Sequence, residues 1–114
     1  MNTTIDMFRG DSRTLEVRVT DDYNKPVDLT GASVRFTVRK KVDGAKLIAK
    51  SSSNPAEIEI TDAANGIFKI YLKPADTKAM RPGGYLYDVE VTLSSGDVHT
   101  VVFGNFQLHG DIST

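Results

Sequence analysis

Polar and apolar residues alternate along most of this chain, so strands rather than helices dominate the expectation. A short strand is expected over Ile5–Arg9. Ser12–Thr20 puts Leu15, Val17 and Val19 on one face and Glu16, Arg18 and Thr20 on the other. Ser33–Lys40 repeats the pattern, with Val34, Phe36 and Val38 inward and Arg35, Thr37 and Arg39 outward. Lys46–Ser51 predicts a weaker strand around Leu47 and Ala49, and Glu57–Thr61 alternates two glutamates with Ile58 and Ile60. Gly66–Lys73 places Phe68, Ile70 and Leu72 opposite Lys69 and Lys73. Tyr85–Leu93 buries Tyr87, Val89, Val91 and Leu93 while Asp88, Glu90 and Thr92 face water. One-sided alternation of this kind belongs to antiparallel sheets with one wet face.

The last strand breaks the rule. Val98, His99, Thr100, Val101, Val102 and Phe103 are apolar on both parities, Gly104 follows, and Phe106 and Leu108 then alternate cleanly. A bulge at Gly104 would bring Val101, Phe103, Phe106 and Leu108 onto the core face. Val98 and Val102 would then lie outside, with Val98–Phe103 and Ile5–Phe8 as the strips a partner would cover. The candidate contact residues are therefore Ile5, Met7, Val98 and Val102.

Turn chemistry separates the strands. Asp21-Asp22-Tyr23-Asn24-Lys25-Pro26, Asp43-Gly44, Asp62-Ala63-Ala64-Asn65-Gly66 and Ser94-Ser95-Gly96-Asp97 are all strong turn signals. Leu29-Thr30-Gly31-Ala32 reads as a further irregular turn. Residues 74–80, opening with Pro74, predict one short helical turn that ends before Pro82. Short strands punctuated this regularly indicate a sandwich or barrel. Arg81-Pro82-Gly83-Gly84-Tyr85 narrows the choice. A Tyr at the start of a strand, just after a corner, resembles the tyrosine corner of an immunoglobulin-like sandwich. Tyr85, Gly83 and Gly84 are the residues assigned to that corner. The expected fold is all-β: an immunoglobulin-like antiparallel β-sandwich of about seven to nine strands, as one domain over residues 1–114.

Composition then removes function classes. The chain has 114 residues, 39% hydrophobic and 25% charged, enough for a core and unlike a disordered chain. No apolar run has the length of a membrane-spanning helix, and Met1–Asp6 lacks the basic and apolar regions of a secretory leader. There are no cysteines, which favours folding in a reducing cytoplasm and excludes thiol catalysis and cysteine metal sites. Net charge is -1, and Arg39-Lys40-Lys41 is the only basic cluster, so neither nucleic acid nor a membrane is an expected partner.

No catalytic constellation stands out. Arg9-Gly10-Asp11 resembles an adhesion tripeptide, but Gly10 as strand breaker and Asp11 as turn cap explain it better. His99 and His109 lack metal-ligand spacing, with His99 expected on a sheet face and His109 in a frayed C-terminus. Asp21-Asp22-Tyr23-Asn24 lacks the ligand spacing of a calcium loop. The serines at Ser51–Ser53 and Ser94–Ser95 lie in turns with no neighbouring histidine. No cofactor, metal or small-molecule substrate is expected.

One series of motifs spans nearly the whole chain. It begins with Ile5…Arg9-Gly10-Asp11-Ser12…Leu15-x-Val17-x-Val19 and continues through Asp28-Leu29-Thr30-Gly31-Ala32-x-Val34-x-Phe36. Asn65-Gly66-x-Phe68, Asp76-Thr77, Gly84-Tyr85-x-Tyr87-Asp88-Val89 and Thr100-Val101-x-x-Gly104-x-Phe106 complete it. The series resembles the immunoglobulin-like N-terminal domain of phage baseplate upper proteins and related small tail and virion proteins. The resemblance implies a non-enzymatic structural module of a tail, baseplate or neck. Its partners would be other virion or tail proteins, in a homo-oligomer or symmetric assembly within the particle, and it would be made in the bacterial host cytoplasm and reside in the virion. In that family a helical or receptor-binding extension often follows, whereas this sequence stops at Thr114, as either a stand-alone wedge or adaptor or a fragment without its extension would. The alternative is a glycan- or host-surface-binding sandwich, for which Tyr23 in a turn and Tyr71 on an outer face are the available aromatics.

Overall fold

A computed structural model describes residues 3–110. Met1 and Asn2 of the segment read for a leader, and the end at Thr114, lie outside them. In chain order the strands are β1 (Ile5–Phe8), β2 (Arg13–Arg18), β3 (Ser33–Arg39), β4 (Lys46–Ser51), β5 (Ile58–Asp62), β6 (Ile67–Leu72), β7 (Gly83–Thr92) and β8 (Val98–His109). A 3-10 turn, Ala63–Asn65, precedes β6, and a single helical turn, α1 (Pro74–Thr77), follows it. One sheet has the order β1-β8-β7-β3-β4 and the other β2-β6-β5. This is the strand arrangement of an immunoglobulin-like sandwich whose GFC-type sheet carries an extra strand at each edge.

The inner faces follow from alternation. Val34, Phe36 and Val38 of β3, Tyr85, Tyr87, Val89 and Val91 of β7, and Phe106 and Leu108 of β8 are buried against Ile58, Phe68, Ile70 and Leu72. Phe36, Phe68 and Phe106 are 0% exposed. Each contributes roughly 1.5–3 kcal/mol of transfer free energy, so the three together exceed the roughly 2–4 kcal/mol typical of a disulfide. The absence of a cystine between the sheets is thereby offset.

Two turns show why their sequences are as they are. Gly66 has φ +70, and a Cβ there would lie 2.7 Å from the carbonyl oxygens of both Val19 and Val27, so only glycine fits. In the Asp28–Ala32 motif, Asp28 Oδ1 accepts from the backbone N–H and hydroxyl of Thr30, at 2.9 and 2.6 Å. The Ala32 N–H donates to the Leu29 carbonyl at 2.9 Å, and Leu29 is 1% exposed. The Thr30 hydroxyl, then its N–H, hold the Asp28 carboxyl below its ordinary value. This motif plugs Leu29 into the core.

Several expectations need correction. β1 pairs with β8 in parallel, Ile5 opposite Phe106 and Phe8 opposite His109, so the larger sheet is not wholly antiparallel. His109 is consequently the last paired residue of β8 rather than a frayed end. The helical turn stops at Thr77, although the Met80 N–H still bonds the Thr77 carbonyl at 2.9 Å. In β4 the inward residues are Ile48 and Lys50, while Leu47 and Ala49 face out. The irregularity in β8 lies at Val101, not Gly104: Val89 pairs with Val102 and Glu90 with Thr100, leaving Val101 as the extra residue. That shift turns Val102 inward at 9% exposure and Phe103 outward at 50%.

The passage from β6 to β7 is pinned at several points. The Lys73 N–H donates to Asp76 Oδ2 at 2.7 Å, and the same oxygen lies 2.7 Å from Nζ of the buried Lys50. The Thr77 hydroxyl, 0% exposed, accepts from the Gly10 N–H at 2.9 Å, where the chain crosses between sheets with φ +86. The buried Tyr85 donates its hydroxyl to the Arg81 carbonyl. Lys40 Nζ sits 4.7 Å above the Tyr85 ring and donates to the Gly84 carbonyl at 2.8 Å. Tyr85→Phe is expected to lower the unfolding free energy in urea by about 1 kcal/mol with unchanged m-value. Asp76→Ala strands the Lys50 ammonium in the core and should cost about 2 kcal/mol, whereas Lys50→Met should be near neutral. Equal losses from these two variants would overturn the desolvation argument.

Candidate interaction surface

The two outer faces differ in character. On the three-stranded sheet, Glu16, Lys69 and Glu59 lie in one cross-strand row. Beside them, the Tyr71 hydroxyl donates to Glu59 Oε1 at 2.6 Å, which raises the Tyr71 pKa. This is a charged, solvated face. The five-stranded sheet instead carries Phe103 at 50% exposure and Leu47 at 46%, with Val42 at 74% in the β3–β4 hairpin. Single exposed apolar residues are ordinary, but several on one face mark an interaction surface.

A groove of about 420 Å³ runs along this second face. Thr37, Leu86, Asp88 and Phe103 contribute to its lining, and Val42 and Asp43 border it from the hairpin. Arg39 also lines it, with its Nε buried and without a hydrogen-bond partner. Guanidinium, carboxylate, hydroxyl and apolar groups thus alternate along a shallow surface. Such a surface offers charge and shape for contact. Among the described residues no three His, Asp or Glu side chains gather to hold a metal ion.

The residues singled out from sequence fall in different places. Tyr85, Gly83 and Gly84 open β7 at the corner described above. Ile5 at 7%, Met7 at 4% and Val102 at 9% exposure are core residues: the parallel β1–β8 pairing turns the first two toward the opposite sheet, and the extra residue at Val101 turns the third. Their side chains are not available to a partner, and this corrects three of the four candidate contacts. Val98, at 54%, is exposed. Within the strips Ile5–Phe8 and Val98–Phe103, Phe8 and Phe103 take outward positions that were not assigned to them individually. Only the position of the β8 bulge would have found Phe103.

The other motifs are used structurally. Asp21 Oδ1 accepts from the N–H groups of Tyr23 and Lys25 at 2.8 and 3.0 Å, closing a turn in which Asn24 adopts φ 60. Arg9-Gly10-Asp11 forms the crossing from β1 to β2. His99 and His109 sit near opposite ends of β8. His109 packs on Phe8, ring centroids 5.4 Å apart, and its Nε2 lies 3.1 Å from Asp6 Oδ1. Beside them a second cleft of about 620 Å³ is bordered by Asp11 and Arg13.

Tyr87, under the groove, donates its hydroxyl to the Thr3 carbonyl at 2.9 Å, and burial raises its pKa. A phenol whose folded pKa exceeds its unfolded value contributes stability below the unfolded value and loses it as pH rises through the folded one. The unfolding free energy should therefore fall as pH rises above 10.0, and the fall should be smaller in Tyr87→Phe. Denaturant titrations on either side of that pH measure it, and an identical fall in both proteins would refute the assignment.

The profile of the family described as the BppU N-terminal domain matches residues 1–103. No curated protein matches the chain. Among solved structures the fold is similar to CopC from Methylosinus trichosporium OB3b, with a TM-score of 0.52 and 10% identity over 97% of this chain and 88% of that one. A structure of murine CRIg gives a TM-score of 0.40 and 12% identity, over 95% of this chain and 92% of that one. At 10% identity, the likeness to CopC speaks of fold alone.

Proposed function

This chain belongs to the family of BppU N-terminal domains, structural domains of phage baseplates, and on that premise we propose that it is a non-enzymatic attachment module within a phage or phage-like particle. It works as a single immunoglobulin-like unit that docks onto other tail or baseplate subunits and takes part in a symmetric assembly. Membership of the family over residues 1–103 carries this reading. The groove-bearing face of the five-stranded sheet supports it, since exposed Phe103 and Val42 suit contact. Phe8 and Phe103 join Val98 as contact candidates in place of the buried residues. Many modest interfaces, multiplied by particle symmetry, would hold such a module firmly. The protein is made in the bacterial host cytoplasm and resides in the virion.

A second reading, binding of a glycan or host surface, draws on Tyr23, which is 83% exposed on the β2–β3 connection. It is the weaker one, since Tyr71 is already engaged with Glu59. Mass spectrometry of purified particles should find the chain among the tail proteins, and its absence would sink the structural reading. Binding of the isolated chain to a glycan array, lost in Tyr23→Ala, would favour the alternative.

A further inference from the structure

The register of the five-stranded sheet sets its outer residues in cross-strand rows. One row runs Phe103, Asp88, Thr37, Ala49 across β8, β7, β3 and β4. The next runs Thr100, Glu90, Arg35, Ser51, and the row on the other side runs Asn105, Leu86, Arg39, Lys46. On the β8-β7 side the rows carry Phe103, Asp88, Glu90 and Leu86 beside the neutral Thr100 and Asn105, and on the β3-β4 side Arg35, Arg39 and Lys46 beside the small Thr37, Ala49 and Ser51. A two-fold axis parallel to the strands, midway between β3 and β7, exchanges β7 with β3 and β8 with β4 while keeping each row level. It sets Phe103 over Ala49 of a second copy, Glu90 over Arg35, Asp88 over Thr37, and Leu86 over the Arg39 stem. No like charges meet, and the largest exposed ring of the rows meets the smallest side chain.

From this self-complementarity we infer that the outer face of the β8-β7-β3-β4 surface binds a second copy of this chain, as an isologous two-fold dimer. The facing sheets would cross at the roughly 30° that twisted sheets adopt when packed in alignment. The opposite face excludes the same arrangement: in its Glu16-Lys69-Glu59 row an axis along β6 would set Glu16 over the second copy's Glu59 and Lys69 over its own counterpart. Among the described residues, ion pairs join Lys50 to Asp76 and His109 to Asp6, while Arg35 of β3 and Glu90 of β7, though opposite each other, form none. Four strands give a face about 20 Å wide, on the order of 500 Å² per copy, at the lower end for specific association. The dimer is therefore reversible in solution and gains from the high local concentration inside a particle. This inference rests on the symmetric assembly proposed above and supplies its surface.

Charge exchange tests it. Sedimentation equilibrium of the chain up to about 1 mM, spanning weak association, should show monomer and dimer. Arg35→Glu and Glu90→Arg, both outward-facing, should each weaken self-association at least about tenfold. Mixing them should restore a one-to-one heterodimer, because both two-fold-related contacts again pair opposite charges. As a second measurement, Phe103→Cys mixed with Ala49→Cys should form a mixed disulfide in this otherwise cysteine-free chain, in preference to either symmetric one. A wild-type chain that stays monomeric, a dimer indifferent to both charge changes, or a mixed disulfide no faster than the symmetric ones would overturn the inference. Detection of the chain in particles together with a monomeric result would leave the baseplate role standing and remove only the dimer.

Discussion

The passage from β6 to β7 is the constraint on which much of the remaining structure depends. Here the chain leaves the three-stranded sheet and enters the middle of the five-stranded one. Within that short stretch Asp76 meets Lys50 of β4, Thr77 meets Gly10 of the β1–β2 crossing, and Tyr85 closes on Arg81. One corner therefore positions an edge strand, a sheet-to-sheet crossing and the central strand β7. The buried Lys50 has a second consequence. An inward-pointing charge on an edge strand penalises pairing with foreign strands, so β4 is turned from an aggregation hazard into a controlled edge. Asp76 makes that charge tolerable inside.

β7 transmits this positioning outward. It pairs along its whole length with β8, and the extra residue at Val101 reverses β8's parity partway along. Before the bulge, Val98 is exposed; after it, Val102, Phe106 and Leu108 fill the core and Phe103 points away. The same bulge that completes the core thus creates the outer aromatic of the contact face. Packing and recognition are set by one irregularity, and a slip of one residue there would exchange the two faces.

The chemistry of the two outer faces explains why a baseplate domain needs so few distinctive residues. The Glu-Lys-Glu row of the smaller sheet keeps that side solvated. The larger sheet offers Phe103, Leu86 and Val42 among Arg39, Asp88 and Thr37, a mixture that suits the contact proposed for it. The conspicuous motifs, Asp28–Ala32, Asp21–Lys25 and Arg9–Asp11, are all consumed by turns and crossings. These motifs therefore specify how the chain turns rather than a site.

Alternation alone determined most of the sandwich. The inward sets of β3, β6 and β7 follow from period two, because an apolar face must be buried whatever the partner, and the Tyr85 corner was readable because its hydrogen bond spans four residues. The edges were decided elsewhere. Ile5 and Met7 became core only once β1 lay parallel beside β8. Lys50 became an inward residue only because Asp76, distant in sequence, was there to neutralise it, and Phe103 became a surface residue only because Val101 bulged. Local periodicity records which side of a strand is apolar. Which apolar side meets the core, when both are apolar or one carries a charge, depends on pairings between distant segments, and only the tertiary structure decides those.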